Sequence, residues 1–501
     1  MTGSATNLRN ENHDMANIII VGAGVAGLTA GIYALSEGHK VTIYERHFKA
    51  GGNLTGWDRR GYHIDNCIHW LTGTNSVTAF HKMWVKLGAL GDDVEIYQPQ
   101  SLYTYEKDGK TFSLDKSLVE LKANMLAIAP EDKKEILGLI HAIRSVQRLN
   151  GMGGKDCERK SNAWEYLVSA PDLLKYGKYT IKALSKRFKN PLLRSFLHSF
   201  MSEQFSALAM IMVFATFTGK NGGIPHGSSC AMAERMVARY ESLGGVLHLK
   251  NGVAKVNVQN GAATSVLLDD GCEVQADYVV ITADPAVAFG SLLDRSYMPK
   301  KLAEQYADAN MIRFACQQCA FAFDGETLPF AGEMIYDVPE QYREILCSDY
   351  LMLREFSHEK SFAPEGKCLM QSMAYCLEDD AKALVALYRD KDAYEQRKAK
   401  MVEAVEQIIC AHLPELKGKI TCIDSWTPAT YERFVGSQVG SFMSFIMPAG
   451  AAPVQLSGKI EGLDNVVIAT QWQMAPGGLP IAAMAGIAAV KLIGKREKKK
   501  R

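Results

Sequence analysis

Residues 17–46 constrain the fold more than any other part of this chain of 501 residues. The β-branched run at residues 18–21 predicts a short strand that is buried on both faces. Glycines with the spacing G-x-G-x-x-G follow it and lead into a predicted helix of about a dozen residues. A second predicted strand, at residues 41–44, ends at the acidic residue Glu45. This order of strand, glycine turn, helix, strand and acid is typical of a domain that binds an adenine dinucleotide.

The glycines of this turn have separate roles in dinucleotide-binding domains. The first permits the sharp turn, the second lets the backbone approach a pyrophosphate, and the third lets the helix pack closely on the strand. Because the helix begins here, its free N–H groups and the positive end of its dipole face the phosphates. We therefore expect the phosphate-binding residues to be Gly22, Ala23, Gly24, Ala26 and Gly27.

The residue at the end of the second strand indicates which dinucleotide is bound. Glu45 occupies the position at which a carboxylate accepts hydrogen bonds from a ribose diol. A ribose with a 2′-phosphate would favour an arginine nearby, and Arg46 does follow. The acid nevertheless occupies the discriminating position, so the pattern favours an adenosine ribose with a free diol.

Length and composition limit the class of protein. A chain of 501 residues exceeds the size at which one core usually divides, so two domains are expected. The net charge of +1 gives no general case for nucleic-acid binding. The 11 cysteines show no disulfide framework and the 12 histidines show no metal-ligand spacing, which predicts reduced thiols, a cytoplasmic location and no metal site. Residues 1–16 form a polar tail without the apolar core of a signal peptide.

The middle of the chain predicts a mixture of strands and helices. Residues 102–114 predict a hairpin around an Asp-Gly turn, and residues 314–323 predict a strand. Cys316 and Cys319 have a spacing seen in metal and redox sites. In a strand they would face opposite sides, so we assign them a structural role.

The stretch at residues 173–189 predicts a basic amphipathic helix. Its apolar face would carry Leu174, Ile181, Leu184 and Phe188, beside a face of lysines at 175, 178, 182, 186 and 189. Such a helix can lie on an anionic membrane surface. The alternative is a solvated lysine face above an ordinary core contact. The apolar run at residues 205–217 is too short to cross a bilayer.

The last part of the chain returns to the pattern of a dinucleotide-binding fold. Residues 465–472 predict a strand that leaves the core, and a proline-glycine turn then leads into a helix ending at Ile493. Glycines and proline at a helix start suit backbone amides directed at an electron-rich ring. The chain closes with a basic tail at residues 495–501.

Several blocks together resemble the flavoproteins of the phytoene desaturase, carotenoid isomerase and retinol saturase group, within the wider amine oxidase-like fold. The resemblance runs along most of the chain, from Ile18 to about Leu492. It rests on VGAGVAGL with YER, GGNLTGWDRRGYHID, the series GGVLHL, NGVAKV, DG and ADYVVITADP, and VVIATQWQMAPGGLP. It implies an α/β fold in which a Rossmann-type FAD-binding domain is assembled from three segments and carries an inserted mixed α+β substrate domain.

The same resemblance implies domain boundaries. The FAD-binding domain would comprise residues 17–80, 222–290 and 441–494. The substrate domain would comprise residues 81–221 and 291–440.

The resemblance also implies further contacts with FAD. Near the flavin we expect the pair Gly51 and Gly52 with Asn53, and beside adenine Val253. Gln471 and the turn at Gly478 and Leu479 would reach the ribityl chain and the ring.

Two departures and one histidine bear on the chemistry. Thr470 replaces a glycine that is usual in the last block, and His226 is unusual in the turn before the middle helix. His69 matches a position where relatives often carry a histidine near the flavin face, which makes it the candidate catalytic residue. A packed, hydrogen-bonded core histidine is the alternative.

The resemblance implies an FAD-dependent oxidoreductase that desaturates, saturates or isomerises carbon–carbon bonds of an extended apolar substrate, such as a carotenoid, retinoid or fatty acid. The substrate would pass between the sheet and the inserted domain, partly lined by residues 196–217. Two alternatives share the fold. A flavin amine oxidase would need an aromatic cage, which Trp472 and Tyr431 could supply. A prenyl- or lipid-binding chaperone would have lost the flavin, against which the intact glycines argue.

Overall fold

The computed structural model describes residues 15–149, 163–451 and 454–500. The strands, in chain order, are β1 (Asn17–Val21), β2 (Lys40–Tyr44), β3 (Gly56–Arg59), β4 (Tyr62–Asp65), β5 (Leu71–Thr72), β6 (Ile96–Tyr97), β7 (Ser101–Lys107), β8 (Lys110–Asp115), β9 (Gly222–Pro225), β10 (Val246–His248), β11 (Val253–Gln259), β12 (Ala262–Leu268), β13 (Glu273–Gln275), β14 (Tyr278–Ile281), β15 (Phe314–Phe323), β16 (Glu333–Asp337), β17 (Tyr350–Glu355), β18 (Cys368–Leu377), β19 (Ile420–Trp426) and β20 (Val466–Ile468). The helices are α1 (Val25–Ser36), α2 (Ala79–Lys86), α3 (Leu118–Ile128), α4 (Lys133–Arg148), α5 (Ala163–Gly177), α6 (Ile181–Ser185), α7 (Pro191–Ser199), α8 (Ala207–Thr218), α9 (Ser228–Ser242), α10 (Pro285–Val287), α11 (Lys300–Ala307), α12 (Glu340–Leu346), α13 (Glu378–Leu387), α14 (Lys391–His412), α15 (Pro428–Val435) and α16 (Leu479–Lys500).

A parallel sheet with the strand order β10-β2-β1-β14-β20 carries the glycine turn. Its strands come from widely separated parts of the chain. In β1, Ile18 and Ile20 pack in the cluster that includes α1 and α16. Ile19 and Val21 pack on the opposite face, against the layer formed by β11 and β12. The prediction that this strand is buried on both faces is therefore confirmed. The predicted domain boundaries remain a prediction.

A second sheet, of order β19-β15-β18-β17-β16-β7-β8, forms the other large layer. Helices α4, α7 and α8 pack on one of its faces, and α14 packs on the other. In β15, Cys316 lies in the first cluster and Cys319 in the second. The two thiols therefore face opposite sides, as the alternation of a strand requires.

The hairpin of β7 and β8 forms where the sequence predicted it. Lys107 pairs with Lys110, and the intervening Asp108 and Gly109 have φ values of 52° and 71°. Positive φ at both central residues is what a tight hairpin turn with the twist of the strands requires, and Asp-Gly adopts it readily.

The predicted helix at residues 173–189 is wrong. Helix α5 ends at Gly177, and α6 starts only at Ile181, after Thr180 caps it by accepting a hydrogen bond from the Ala183 amide. Thr180 also forms a β-bridge with Ser206. A residue that caps a new helix and pairs with a neighbouring segment cannot continue the previous helix.

The faces of this stretch also differ from the prediction. Ile181, Leu184 and Phe188 are buried in the core, whereas Leu174 is 66% exposed. Lys182 forms an ion pair with Glu203 at 2.7 Å. The core-contact alternative therefore describes the second half of the stretch.

The two chain ends were predicted less well. Helix α16 continues through residues 495–500, which the sequence assigned to a tail. The predicted polar tail lies outside the described residues except for Met15 and Ala16. Within the described ranges, no helix combines the length and apolar composition that crossing a membrane requires.

Candidate functional site

A cavity of about 1070 Å³ begins at the glycine turn after β1 and continues between the two large sheets. This volume is at the upper end of the range for small-molecule sites, so it can hold a ligand larger than a typical drug. The predicted site residues that line it are Gly22, Gly24, Ala26, Glu45, Arg46, Gly51, Gly52, Asn53, His69, Val253, Gln471, Gly478 and Leu479. Ala23 and Gly27 are buried and do not line the cavity.

The glycine turn has the geometry that a dinucleotide needs. Gly22 has φ +102°, and its amide donates to the Tyr44 carbonyl at 2.9 Å. A Cβ at Gly27 would lie 2.0 Å from the Gly22 oxygen, so only glycine permits this packing of α1 on β1. At Gly24 the nearest atoms to such a Cβ, on Gly51 and Gly52, are 4.0 Å away. The Gly24 face is therefore open to the cavity.

The start of α1 lies at this open face, and its first amides have no partner within the helix. Gly24 is the N-cap and has no side chain to accept from them. The first backbone bond of the helix is from the Leu28 amide to the Gly24 oxygen at 2.9 Å. The preceding amides of the first turn therefore suit an anion, and the helix dipole has its positive end there.

Glu45 both supports the turn and lines the cavity. One carboxylate oxygen accepts from the Ala23 amide and the other from the His47 amide, each at 2.8 Å. Each carboxylate oxygen can accept a second hydrogen bond, so the group can still bind a ribose hydroxyl. The neighbouring Arg46 points its guanidinium toward Gly436, where a Cβ would lie 2.6 Å from Nη2.

The second glycine turn lies against the first. Gly51 and Gly52 have φ values of +116° and +63°, and the Gly51 amide donates to the Ala23 oxygen at 2.9 Å. Asn53 donates through Nδ2 to the Phe442 carbonyl at 3.1 Å. Its Oδ1 is buried and has no hydrogen-bond partner among the residues that the structure describes. A buried acceptor without a partner is costly, and a ligand donor at this point of the wall would satisfy it.

The C-terminal segment contributes a third turn. Gln471 accepts through Oε1 from the Gly478 amide at 2.9 Å and donates through Nε2 to the Phe442 carbonyl at 3.4 Å. Helix α16 starts at Leu479 directly after this turn. The segments around Gly24, Gly51 and Gly478 therefore meet in one wall, although 454 positions separate the first from the last (478 − 24).

His69 lies in the loop after β4, and its imidazole has one close partner. Its Nδ1 is 2.8 Å from Oε2 of Glu333, at the start of β16. Arg354, the cross-strand neighbour of Glu333, donates to the carbonyl of Ile68 at 2.5 Å. Sequence reasoning missed Glu333 and Arg354. No local pattern identifies them, because Glu333 is 264 residues away from His69.

Another part of the cavity wall is apolar. Its side chains come from α4 and the residue after it, from α5, from α8 and from the segment before α8, and they include Val146, Leu149, Tyr166, Leu173, Phe200, Met201, Leu208, Ala209, Met212 and Val213. Residues of the predicted stretch 196–217 therefore do line the cavity. We call this part the apolar arm.

The two aromatic residues considered for an amine cage are engaged elsewhere. The Tyr431 hydroxyl donates to Asn66 at 2.9 Å and accepts from Gln318 at 2.7 Å, and burial raises its pKa well above the usual value. Trp472 is 2% exposed and stacks on Tyr306 with ring centroids 5.8 Å apart. Both side chains line the cavity, but each is fixed by packing or hydrogen bonds to other residues.

One buried acid in the cavity wall has a perturbed pKa. Burial raises the pKa of Asp284 to about 6, although the amides of Ala286 and Gln438 donate to it at 2.8 Å and 3.1 Å. It follows β14 at the end where the sheet opens. Among the described residues, no cluster of His, Cys, Asp and Glu has the arrangement of a metal site.

Comparison with known proteins places this geometry in a wider group. Residues 25–493 match the profile of the family described as flavin containing amine oxidoreductase. Chloroplastic prolycopene isomerase from Arabidopsis thaliana is 22% identical over 460 residues, covering 87% of this chain and 75% of that protein. The 4,4'-diaponeurosporene oxygenase of Staphylococcus aureus strain MW2 is 22% identical over 524 residues, covering 97% of this chain and 99% of that protein.

Solved structures share the fold. An oxidoreductase from Methanosarcina mazei has a TM-score of 0.61 and 16% identity, covering 96% of this chain and 100% of its own. An engineered putrescine oxidase has a TM-score of 0.60 and 15% identity, covering 96% of this chain and 99% of its own.

Proposed function

Because this chain belongs to the family of flavin-containing amine oxidoreductases, we propose that it is an FAD enzyme acting on carbon–carbon bonds of an extended apolar substrate. Family membership makes the protein a flavin-containing oxidoreductase and confirms the resemblance inferred from the sequence blocks. The curated relatives, named for prolycopene and for 4,4'-diaponeurosporene, support a carotenoid or a similar polyene as the substrate class. Retinoids and fatty acids share the required shape and polarity.

The cavity wall fits FAD in an extended conformation. The open face at Gly24 and the first amides of α1 suit the pyrophosphate, and Glu45 suits the adenosine ribose. Val253 would contact adenine. Asn53, with its unpartnered buried Oδ1, and Gln471 would contact the flavin half.

Bound flavin would supply hydride transfer, and the protein would supply binding, orientation and a dry environment. The apolar arm can hold a long hydrocarbon and exclude water from it. His69 is the titratable side chain that we propose as the acid or base beside the flavin. The chemistry can be desaturation, saturation or isomerisation, since each needs the reacting carbons of the substrate held beside the flavin and within reach of a proton carrier.

One observation carries the proposal: the glycine turn and the apolar arm line one continuous cavity. A nucleotide-binding turn alone is compatible with many reactions, and an apolar cavity alone is compatible with lipid storage. Their combination predicts redox chemistry on an apolar molecule.

Extraction of the purified protein tests this function. We expect a yellow protein that releases FAD, together with an unsaturated lipid that identifies the substrate class. Release of FMN or NADP, or a colourless protein that retains a prenyl lipid, would contradict the proposal. A protein whose flavin is reduced by amines and not by any polyene would be an amine oxidase.

We also propose that the substrate is taken from a membrane at the outer face of α5. Trp164, Leu167 and Leu174 lie on one side of this helix and are 70%, 66% and 66% exposed. Tyr166 and Leu173 of the same helix line the apolar arm. Large apolar side chains that are exposed together on one side of a helix suit a contact with the apolar part of a membrane surface.

Charge near this stripe supports an anionic surface as the partner. Lys175 and Lys178 follow the stripe directly, and lysines 182, 186 and 189 are exposed in the next segment. The cysteines of the described ranges are all free thiols, which fits the cytoplasmic side of a membrane. This proposal replaces the amphipathic helix expected at residues 173–189 with the face of α5.

Vesicle sedimentation tests the membrane contact. The double variant Trp164→Ser and Leu167→Ser should lose binding to anionic vesicles. Adding the reversal of lysines 178, 186 and 189 to Glu should abolish the binding that remains at low salt, where electrostatic attraction is screened least. The matched control is Val119→Ser, which removes an equally exposed apolar side chain from α3. Equal binding by all four proteins would leave the α5 face as a solvated surface.

A further inference from the structure

We infer that Glu333 is a positioning residue that holds the His69 imidazole with its Nε2 nitrogen free to exchange a proton with the substrate. The inference rests on the proposed function, in which His69 is the acid or base beside the flavin. Glu333, from β16 of the seven-stranded sheet, would be the residue that orients His69.

The contact between the two residues is direct and nearly dry. His69 Nδ1 and Glu333 Oε2 are 2.8 Å apart, and the side chains are 17% and 10% exposed. A carboxylate only accepts hydrogen bonds, so Nδ1 must carry the proton. The neutral ring then has an unprotonated Nε2, because a neutral imidazole carries one N–H.

The surroundings hold both partners in place. Glu333 starts β16, where it is paired across the sheet with Arg354 of β17. Arg354 donates to the Ile68 carbonyl, which is the residue before His69, at 2.5 Å. Asp65, at the other end of the loop, accepts from the amides of Cys67 and Ile68 at 3.0 Å and 3.3 Å. The backbone that carries His69 is therefore fixed from two sides.

The charge of Glu333 acts on the cavity wall. Tyr375 lines the cavity, and its pKa is raised first by burial and then by the Glu333 carboxylate. The pKa of the buried Tyr103 is raised by the same two causes. The Glu333 side chain is only 10% exposed, so water screens its charge weakly and the carboxylate can stabilise a cation on His69.

The pair can therefore carry the proton of the reaction. In a desaturation, bound flavin would supply the hydride acceptor for one carbon, and His69 Nε2 would take the proton that the neighbouring carbon loses. The electron pair of that second C–H bond becomes the new carbon–carbon π bond. The imidazolium is compensated by the Glu333 charge. In a saturation, reduced flavin would supply the hydride for one carbon, and His69 Nε2 would give the proton to the other.

The first test measures the histidine itself and needs no substrate. Protein labelled with ¹⁵N-histidine should give, for His69, the signals of a ring protonated at Nδ1 and unprotonated at Nε2. The His69→Ala spectrum assigns these signals by their loss. In Glu333→Gln the amide can accept from Nδ1 or donate to it, so we expect a mixture of both tautomers. An unchanged His69 spectrum in Glu333→Gln would overturn the inference.

The second test is a double-mutant cycle on turnover, with FAD content measured in every protein. Glu333→Gln should lower kcat about 10- to 100-fold and leave KM and FAD content unchanged, because it weakens but does not remove an acid–base contribution of roughly 10²- to 10⁴-fold. In the His69→Ala background the same change should have no further effect, because it acts through His69. Glu333→Asp keeps the charge and should recover part of kcat.

A matched control separates this role from structural loss. His412 contacts Glu106 in a similar half-buried pair outside the cavity, so Glu106→Gln should leave kcat unchanged. Additive effects of Glu333→Gln and His69→Ala would overturn the inference. If the wild-type protein holds FAD and turns over no polyene, the proposed function fails, and the tautomer measurement still decides the pairing.

Discussion

Substitution of two glycines in the turn after β1 should affect different properties, the stability of the fold at Gly27 and the affinity for flavin at Gly24. Gly27→Ala places a Cβ 2.0 Å from the Gly22 oxygen, which is a backbone atom that cannot move aside. We expect a loss of about 3 kcal/mol in the free energy of unfolding, at the upper end of the cost of overpacking. Flavin binding should weaken only as far as the turn is distorted.

Gly24→Ser should instead leave stability intact and weaken flavin binding. Gly24 has φ −71° and ψ 177°, which any residue adopts, and its would-be Cβ has no atom closer than 4.0 Å. Serine is a good N-cap, so the free energy of unfolding should change by less than about 0.5 kcal/mol. Its hydroxyl would bind the amides that a pyrophosphate needs. Loss of two charge-assisted hydrogen bonds at about 1.5 kcal/mol each weakens binding roughly 100-fold.

Urea unfolding and FAD titration of the two variants measure these effects separately. The reasoning predicts a lower unfolding midpoint for Gly27→Ala and a higher dissociation constant for FAD in Gly24→Ser. Wild-type affinity in Gly24→Ser would refute the assignment of this turn to the pyrophosphate. A wild-type midpoint in Gly27→Ala would refute the packing argument.

Three further predictions address other parts of the cavity. Glu45→Arg replaces the ribose acceptor with a cation and removes the acceptor of the Ala23 and His47 amides, so FAD content at purification should fall; full FAD content would count against the assignment. Burial raises the pKa of Asp284 from 3.8 to about 6, so the stability associated with its neutral form is complete below pH 3.8 and is lost as the pH rises through 6. Urea unfolding should show a pH-dependent difference of roughly 3 kcal/mol between wild type and Asp284→Asn over this interval, and parallel pH profiles would refute it. Ala209→Trp should fill the apolar arm and raise KM for a long polyene at unchanged FAD content; an unchanged KM would exclude the arm as the substrate site.

Local chemistry explains which parts of the fold could be predicted from the sequence. The run at residues 18–21 is apolar and β-branched at every position, which is expected of a strand covered on both faces, and the structure has β1 there. The Asp-Gly turn of the β7–β8 hairpin contains the two residues that accept positive φ. In both cases the determining interaction lies within a few residues.

The predictions from the sequence fail where contacts between distant parts of the chain determine the structure. At residues 173–189 the helical spacing of apolar residues is real, but Thr180 pairs with Ser206 and caps a new helix. The loop carrying His69 was predicted to lie at the site, and its ring does line the cavity. Its partner Glu333 could not be identified, because a single acid in a strand has no pattern that indicates a histidine 264 positions earlier.

The roles of the predicted site residues remain predictions, although most of these residues line one cavity. The glycine spacing predicted the nucleotide-binding part of the cavity because each of these glycines is required by the space or the backbone conformation at its own position. The apolar arm is built from several helices whose side chains converge only in three dimensions. Its composition was visible in the run at residues 196–217, whereas the exposed stripe of α5 became apparent only from burial.

The most direct test of the central claim is an anaerobic incubation of the purified flavoprotein with a polyene such as a carotenoid, and in parallel with a diamine. The absorbances of the flavin and of the polyene are recorded together. The experiment is carried out once with oxidised flavin and once with reduced flavin. The account predicts that the polyene changes its number or geometry of double bonds while the diamine leaves the flavin spectrum unchanged. Rapid reduction of the flavin by the diamine, with the polyene unaltered in both redox states, would contradict it.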